Sequence, residues 1–258
     1  MAERAVADDE EGADWHRRVV GRSLHDARRR SIDRGAHLIK AAATVLDRNG
    51  GGSLTVQEVA DEAGQSLRTL YQYFASKDDL LLAVHEEAMR LYARLIRAAI
   101  AGIDGPVERL AAGLIASARL PELHDKAGLD RGLSHLRLQL GQSAPDLLAR
   151  SQQPVTDLYR ELVAAAVAAS PSTELAVDGA VYLLSSVRTA YVRSTTLGDD
   201  LGVDLPDAVD LSCFCLAGLG MPRPRSWHEE VAARLPTAGS DGRSILRRLA
   251  RDAADATD

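Results

Sequence analysis

The sequence predicts an all-α chain: an N-terminal three-helix helix-turn-helix head followed by a larger helical C-terminal domain. Composition points there first, because the 258 residues are 46% hydrophobic yet only 4% aromatic, a balance that suits helices in close contact over small side chains. Periodicity points there next, since apolar residues recur at helical spacing and no alternating run of useful length marks a strand. The third sign lies between Ser53 and Leu82, where three helix-start signals follow one another within a single tight stretch.

The first of those signals is Thr55, with Glu58 three residues on to complete a capping box. Val59, Ala60 and Ala63 give that short helix a small apolar face, and Gly64 ends it where a left-handed residue is needed. Ser66 caps a second helix from Leu67 to about Phe74, and Ser76 caps a third with Asp79 at the box position. Two short helices joined by a tight turn, the second free to enter a major groove, form a helix-turn-helix.

The remaining chain arranges itself around this stretch. Met1 to Asp14 is acidic, and Trp15 to Arg34 then inverts to Arg17, Arg18, Arg22, Arg28, Arg29, Arg30 and Arg34. Residues 1–30 are therefore expected as a disordered acidic and then Arg-rich arm. Two readings stand side by side: a solvated leader, or an arm that follows phosphates or enters the minor groove beside the main contact. A helix from about Ser31 to Asn49 carries the stripe Leu38, Ile39, Ala42, Val45 and Leu46, and residues 31–80 form the head. The helix starting at Lys77 can run to about Ile103, so it begins in the head and ends in residues 81–220, the body. There helices are expected over 106–120, 130–142, 144–169, 173–197 and 206–219, with Pro154 predicting a kink or break. Residues 221–258 read as a partly ordered extension, with helices around Trp227–Leu235 and Ser244–Ala253.

Charge and cysteine usage narrow the function classes. The formal net charge of −6 makes the whole chain no polyanion binder, so DNA binding requires local basic charge. Cys213 and Cys215 are too close on a helix to bridge each other, which fits a reducing compartment. The first residues lack the basic and then apolar order of a signal peptide, and no window reaches the roughly 18 apolar residues of a membrane span. A soluble cytoplasmic protein is expected.

Within the head, Leu70 and Phe74 are expected to face the core with Val59 and Leu38, which leaves Arg68, Thr69 and Gln72 on the other side. Arginine suits guanine O6/N7 and glutamine suits adenine N6/N7. A plain phosphate contact is the competing role for Arg68. Lys77 opposes the dipole of its own helix, so helix end and lysine together suit a phosphate. Thr55 and Ser66 can act both as caps and as phosphate contacts.

At TVQEVADEAGQSLRTLYQYFASKDDLLLAV the chain resembles the DNA-binding head of the TetR family of transcriptional regulators: a preceding helix with a small-residue stripe, a V-A-x-x-A-G turn and T-L-Y-x-Y-F-x-S-K-D-x-L-L. The match spans about residues 31–85. It implies that Tyr71 and Tyr73 flank the groove with their hydroxyls on phosphates, ring packing being the alternative for each. It also implies a homodimer that binds a palindromic operator in double-stranded DNA, and a helical C-terminal ligand-binding and dimerisation domain whose small-molecule effector releases the DNA. Gln65 and Leu67 depart from the usual pattern. Gln65 either leaves the turn more solvated or approaches DNA, and Leu67 either meets a thymine methyl or packs inward.

In the body, the candidates to line an effector pocket are Tyr92, His135, Gln139, Tyr182, Ser186 and Thr189, among alanines and leucines that suggest a mostly apolar ligand. The helices at about 173–197 and 206–219 carry Gly179, Ala180, Ala217 and Gly218 and are apolar on more than one face, which suits a four-helix interface between two copies; a purely intrachain core is the alternative. An enzyme or ligand carrier with a vestigial head is the competing function. Glu-x-x-His and His-Glu-x-x-His pairs, a Gly-x-Ser-x-Gly elbow, a Walker loop and a Rossmann glycine pattern are all missing from the sequence. The expectation is a transcription regulator, most simply a repressor, with no catalytic residue, metal or cofactor.

Overall fold

The structure is a computed structural model, and it describes the backbone of residues 2–120, 127–170, 175–198 and 202–236, with side chains from residue 25 onward. All regular structure among the described residues is helical. The helices are α1 (Ala2–Arg48), α2 (Val56–Glu62), α3 (Leu67–Tyr73), α4 (Lys77–Ala99), α5 (Pro106–Ala118), α6 (Ala127–Ser143), α7 (Pro145–Ser151), α8 (Gln153–Ala169), α9 (Val177–Leu197), α10 (Ala208–Gly218) and α11 (Arg225–Ala233).

Local chemistry accounts for the head. Thr55 Oγ1 accepts from the Glu58 amide at 3.2 Å, and Glu58 accepts from the Thr55 amide at 2.7 Å, closing the capping box that starts α2. These bonds hold the Glu58 carboxyl below its usual range. Ser66 accepts from the Thr69 amide at 3.1 Å to start α3, and Ser76 accepts from the Asp79 amide at 3.1 Å to start α4. Between α2 and α3, Gly64 sits at φ 59°, and the Gln65 amide reaches back to the Ala60 carbonyl at 2.9 Å. The head core gathers Leu38, Val45, Leu54, Val59, Leu70 and Leu80, each at most 1% exposed.

Two expectations about the ends change. The leader expected as a disordered arm is helical from Ala2 and continuous with the helix expected at Ser31. Its alanines, arginines and acids are adequate helix formers, and nothing between Ala2 and Arg48 is a proline. At the other end, the segment expected as a partly ordered extension supplies α11 to the body core. Val231, Ala232 and Leu235 are buried there, and His228 Nδ1 meets the Ser212 hydroxyl at 3.0 Å. Arg225 ties α11 to the start of α10 through Asp207 at 2.6 Å and through Asp210. The helix expected around Ser244–Ala253 lies outside the described residues.

The helix expected over 144–169 divides at Gln152, with Pro145 and Pro154 each in the first turn of its own helix. The body core runs from Ala93 to Leu235 over α4, α5, α8, α9, α10 and α11, with Leu110, Ile115, Leu158, Tyr159 and Val163 at its centre. The two cores meet on α4, where Met89 and Tyr92 pack against both.

The head core does not close on itself. Leu133, Leu136 and Leu140 of α6 complete it, and the junction is a backbone contact. A Cβ placed on Gly128 would lie 2.2 Å from the Asp47 carbonyl oxygen. One placed on Gly51, at φ +82°, would lie 2.6 Å from the Gly132 amide nitrogen and 2.7 Å from the Gly128 carbonyl oxygen. Around this contact, Asp47 Oδ1 accepts from the Leu129 amide at 3.2 Å, and the Gly50 carbonyl accepts from Arg131 at 3.0 Å. Gly51→Ala is expected to lower unfolding free energy by about 2 kcal/mol or more, the left-handed penalty for a Cβ plus the displacement of α6. Urea unfolding compared with Gly64→Ala, which shares the left-handed φ but meets nothing within 4 Å, isolates the contact term.

Candidate nucleic-acid interface and body cavity

One face of α3 is committed to packing. Leu70 is buried, and Leu67, Tyr73 and Phe74 pack partly buried against the head core. Leu67 therefore takes the inward of its two expected roles. Tyr73 lies beside α1, its Cδ1 3.6 Å from where a Cβ of Gly35 would stand. The opposite face presents Arg68, Tyr71 and Gln72 to solvent, flanked by Gln65 and Ser66 in the turn and by Lys77 at the first position of α4. The side chains of Arg68, Tyr71, Gln72 and Lys77 make no hydrogen bond or ion pair among the described residues. Tyr71, an aromatic on so small a domain, is 50% exposed.

The hydroxyls of the caps are already engaged. Thr55 Oγ1 donates to Glu58 at 2.8 Å, and the Ser66 and Thr69 hydroxyls lie 3.0 Å apart. These three residues position the α2 and α3 N-termini, while the unengaged donors belong to Arg68, Tyr71, Gln72 and Lys77. Arg28, Arg29, Arg30 and Arg34 are exposed on α1 within two turns of Gly35, so positive charge lies on the helix that Tyr73 packs beside. His37 Nε2, 3.1 Å from the Ala63 carbonyl, fixes α1 against the end of α2.

The body encloses a cavity of about 310 Å³ between α4, α5, α6, α8 and α9. Regular spacing places its wall. On α4 the wall residues are His85, Met89, Tyr92 and Ile96, and on α6 they are Asp130, Leu133, Ser134, Arg137 and Leu138, both single-face helical stripes. Tyr92 donates to Asp130 across the cavity wall, and burial first, then the Asp130 charge, raises the phenol well above its ordinary range. Burial, with a smaller contribution from Arg137, lowers His85 to about 4, and burial with Arg188 lowers Arg137 to about 10.

Of the residues expected to line an effector pocket, Tyr92, Ser186 and Thr189 do so. His135, Gln139 and Tyr182 do not. His135 and Gln139 sit on the other side of α6, where His135 Nδ1 lies 3.4 Å from the Gly51 carbonyl oxygen. Tyr182 points out of the body and is 72% exposed. The cavity residues missed from sequence include the titratable His85, Asp130, Arg137, Arg188 and Arg193. Charged side chains on amphipathic helices default to the solvent face, and only the helical spacing of Asp130, Ser134 and Arg137 with Leu133 marked them as one stripe.

A second residue set on α6 interleaves with the first. Gly128, Arg131, Gly132 and His135 face the α1–α2 turn at the same three-and-four spacing. One helix thus carries the cavity wall on one side and the seat of the head on the other.

Comparison with known proteins adds a family. The profile described as bacterial regulatory proteins, tetR family, matches residues 38–84. The transcriptional regulator BetI of Brucella suis biovar 1 is 38% identical over 79 residues, 31% of this chain and 40% of that protein. The chain thus aligns with 40% of the length of that relative. Two solved structures share the fold across both domains. RolR in complex with resorcinol superposes with a TM-score of 0.61 at 21% identity, covering 82% of this chain and all of that one. FadR from Bacillus subtilis in complex with stearoyl-CoA gives 0.55 at 19% identity over 73% of this chain and 99% of that one.

His85 generates a pH prediction. The unfolded histidine takes its proton near 6.5, whereas in the fold it resists protonation down to about 4. The unfolded state therefore binds more protons between those values, so this group's contribution is complete above pH 6.5 and lost as pH falls toward 4. Between pH 7 and 5, wild type is expected to lose about 2 kcal/mol more than His85→Gln, read from urea midpoints at both pH values.

Proposed function

The chain belongs to the TetR family of bacterial regulatory proteins, and on that premise we propose that it is a dimeric, ligand-responsive repressor. Its α3 enters the major groove of a palindromic operator, and a small molecule in the body cavity releases it. The observation that carries this reading is the two-faced α6: whatever fills the cavity presses on Asp130, Ser134 and Arg137, and the helix that moves is seated on the α1–α2 turn through Gly128, Gly132 and His135. The effector's body is apolar, in keeping with Met89, Ile96, Leu133 and Val155 in the wall. That RolR and FadR hold resorcinol and stearoyl-CoA respectively in chains of the same fold supports a ligand-binding body.

In this reading Arg68 and Gln72 read base edges, while Tyr71, Lys77 and the α3 N-terminus at Ser66 hold phosphates. Gln65, in the solvated turn, lies at the edge of the contact. The dimer forms through α9 and α10. Tyr182 and Phe214 are 72% and 67% exposed there with Leu183 beside them, and no atom lies within 4 Å of a Cβ on Gly179 or Gly218. Large apolar side chains next to glycines that touch nothing are what a close helix-on-helix interface leaves when one copy is taken alone. Two heads then meet half-sites about one DNA turn, ~34 Å, apart or a multiple of it. No group in the cavity favours the enzyme reading, and the curated relatives are named as regulators.

Fluorescence anisotropy against the promoter region of its own gene tests the proposal. Tyr71→Ala is expected to weaken operator binding about tenfold or more, the loss of a charge-assisted hydrogen bond, with an unchanged melting temperature. Arg68→Ala is expected to relax discrimination at one base position by about 1–3 kcal/mol. Sequence-independent binding that ignores both substitutions refutes operator recognition through α3.

A further inference from the structure

Resting on the reading of the body cavity as the effector site, we propose that its ligand is a small organic monoanion, a carboxylate on a compact apolar body, seated between Arg137 of α6 and Arg188 of α9. Both arginines line the cavity. Neither makes a side-chain hydrogen bond or ion pair among the described residues, and Arg188 Nε is buried with no partner among them. The Arg188 guanidinium lies 5.4 Å from the centre of the Tyr159 ring, a face that positions it but does not neutralise it. Burial first, and then the Arg188 charge, lowers Arg137 to about 10, which still leaves it charged at neutral pH.

The other titratable groups of the wall are His85, Tyr92, Asp130 and a third cation, Arg193. His85 is 2% exposed and its Nδ1 is also without a partner. Asp130 is engaged by the Tyr92 hydroxyl. Two like charges held half-buried side by side, with no counterion paired to them among the described residues, are unfavourable, and the structure keeps them where a ligand can reach them. A guanidinium fork matches a carboxylate with two parallel hydrogen bonds, so a carboxylate between the two neutralises the pair. Apolar surface from Met89, Ile96, Leu133, Leu138 and Val155 covers much of the rest. A volume of about 310 Å³ stands at the lower end of small-molecule sites. A medium-chain or single-ring acid fits that space, and a long acyl chain exceeds it.

The test is isothermal titration of the full chain with paired probes: the acids from butyrate to decanoate and benzoate, against 1-octanol and benzyl alcohol. At least one acid is expected to bind ten-fold or more tighter than its alcohol. Arg137→Gln and Arg188→Gln, checked for folding by circular dichroism, are expected to remove that preference and leave alcohol binding unchanged. The ligand-free Arg188→Gln protein is expected to melt at or above the wild-type temperature, because an uncompensated charge has gone. Equal affinity of acid and alcohol, a preference untouched by either substitution, a lower melting temperature with the preference intact, or no binding by any of the acids overturns the assignment. Operator binding measured in parallel separates this proposal from the one it rests on. An alcohol that binds and releases DNA refutes the charge assignment and keeps the regulator. An acid that binds through both arginines and leaves operator affinity unchanged supports the assignment and refutes effector control.

Discussion

The rest of the molecule depends on a contact with no side chain in it. Gly128 and Gly132 of α6 bring their backbone against Asp47 and Gly51 at the α1–α2 turn, so closely that a methyl group on Gly51 or Gly128 would overlap main-chain atoms. Side chains at an interface can change rotamer and absorb a shift of a few tenths of an ångström. Main chain against main chain cannot, and interiors packed this way transmit displacement. The orientation of the head and the position of α6 are therefore one variable. Leu133, Leu136 and Leu140, which close the head core from the body side, add an apolar seal around that pivot.

That coupling gives the cavity its leverage. Its wall includes two helices that touch the head, α4 through its own N-terminal turn and α6 through the glycine seat. α4 begins at Lys77 and reaches the cavity at His85, about 12 Å along its axis at 1.5 Å per residue. Ser76 and Asp79 fix its first turn by reciprocal bonds to the Asp79 and Ala75 amides. The distance from the cavity to Lys77 is thus about two turns of one capped helix, short enough to behave as a rigid piece.

What was legible in the sequence and what was not divide along the range of the interactions. Thr55 with Glu58, Ser66, Gly64 and Pro154 act within four residues of themselves, and each does in the structure what its local chemistry requires. The inward turn of Leu67 needed the position of α1 to decide it, since an apolar residue at the start of α3 satisfies either face until its neighbours are known. His135 and Gln139 were drawn toward the cavity by polarity, but they belong to the face of α6 that meets Gly51, an element 84 residues away in the chain. Arg137 and Arg188 were passed over for the opposite reason: charge argues for solvent, and only tertiary structure sets two such residues around one hollow. The leader is a related case. Its acidic and then basic composition suggested disorder, yet no residue in Ala2–Arg48 forbids a helix, and it continues α1.

A ligand shifts a two-state protein only by its differential affinity for the two states. An apolar molecule in a mostly apolar cavity gains about the same burial in either arrangement of α6, so its grip on the head is weak. A group that interacts with Arg137 on α6 and Arg188 on α9 together distinguishes the arrangements, because the distance between those helices decides whether both forks are satisfied. A hydrogen bond to a charged group is worth about 1.5–3 kcal/mol, and coupling free energies between sites commonly run about 1–3 kcal/mol. On the proposed reading, one doubly satisfied anion is therefore comparable in size to an ordinary allosteric coupling, and α6 is the element that links it to the turn at Gly51. If the proposal holds, the two arginines disfavour the unliganded cavity for the same reason that its occupation bears on the head.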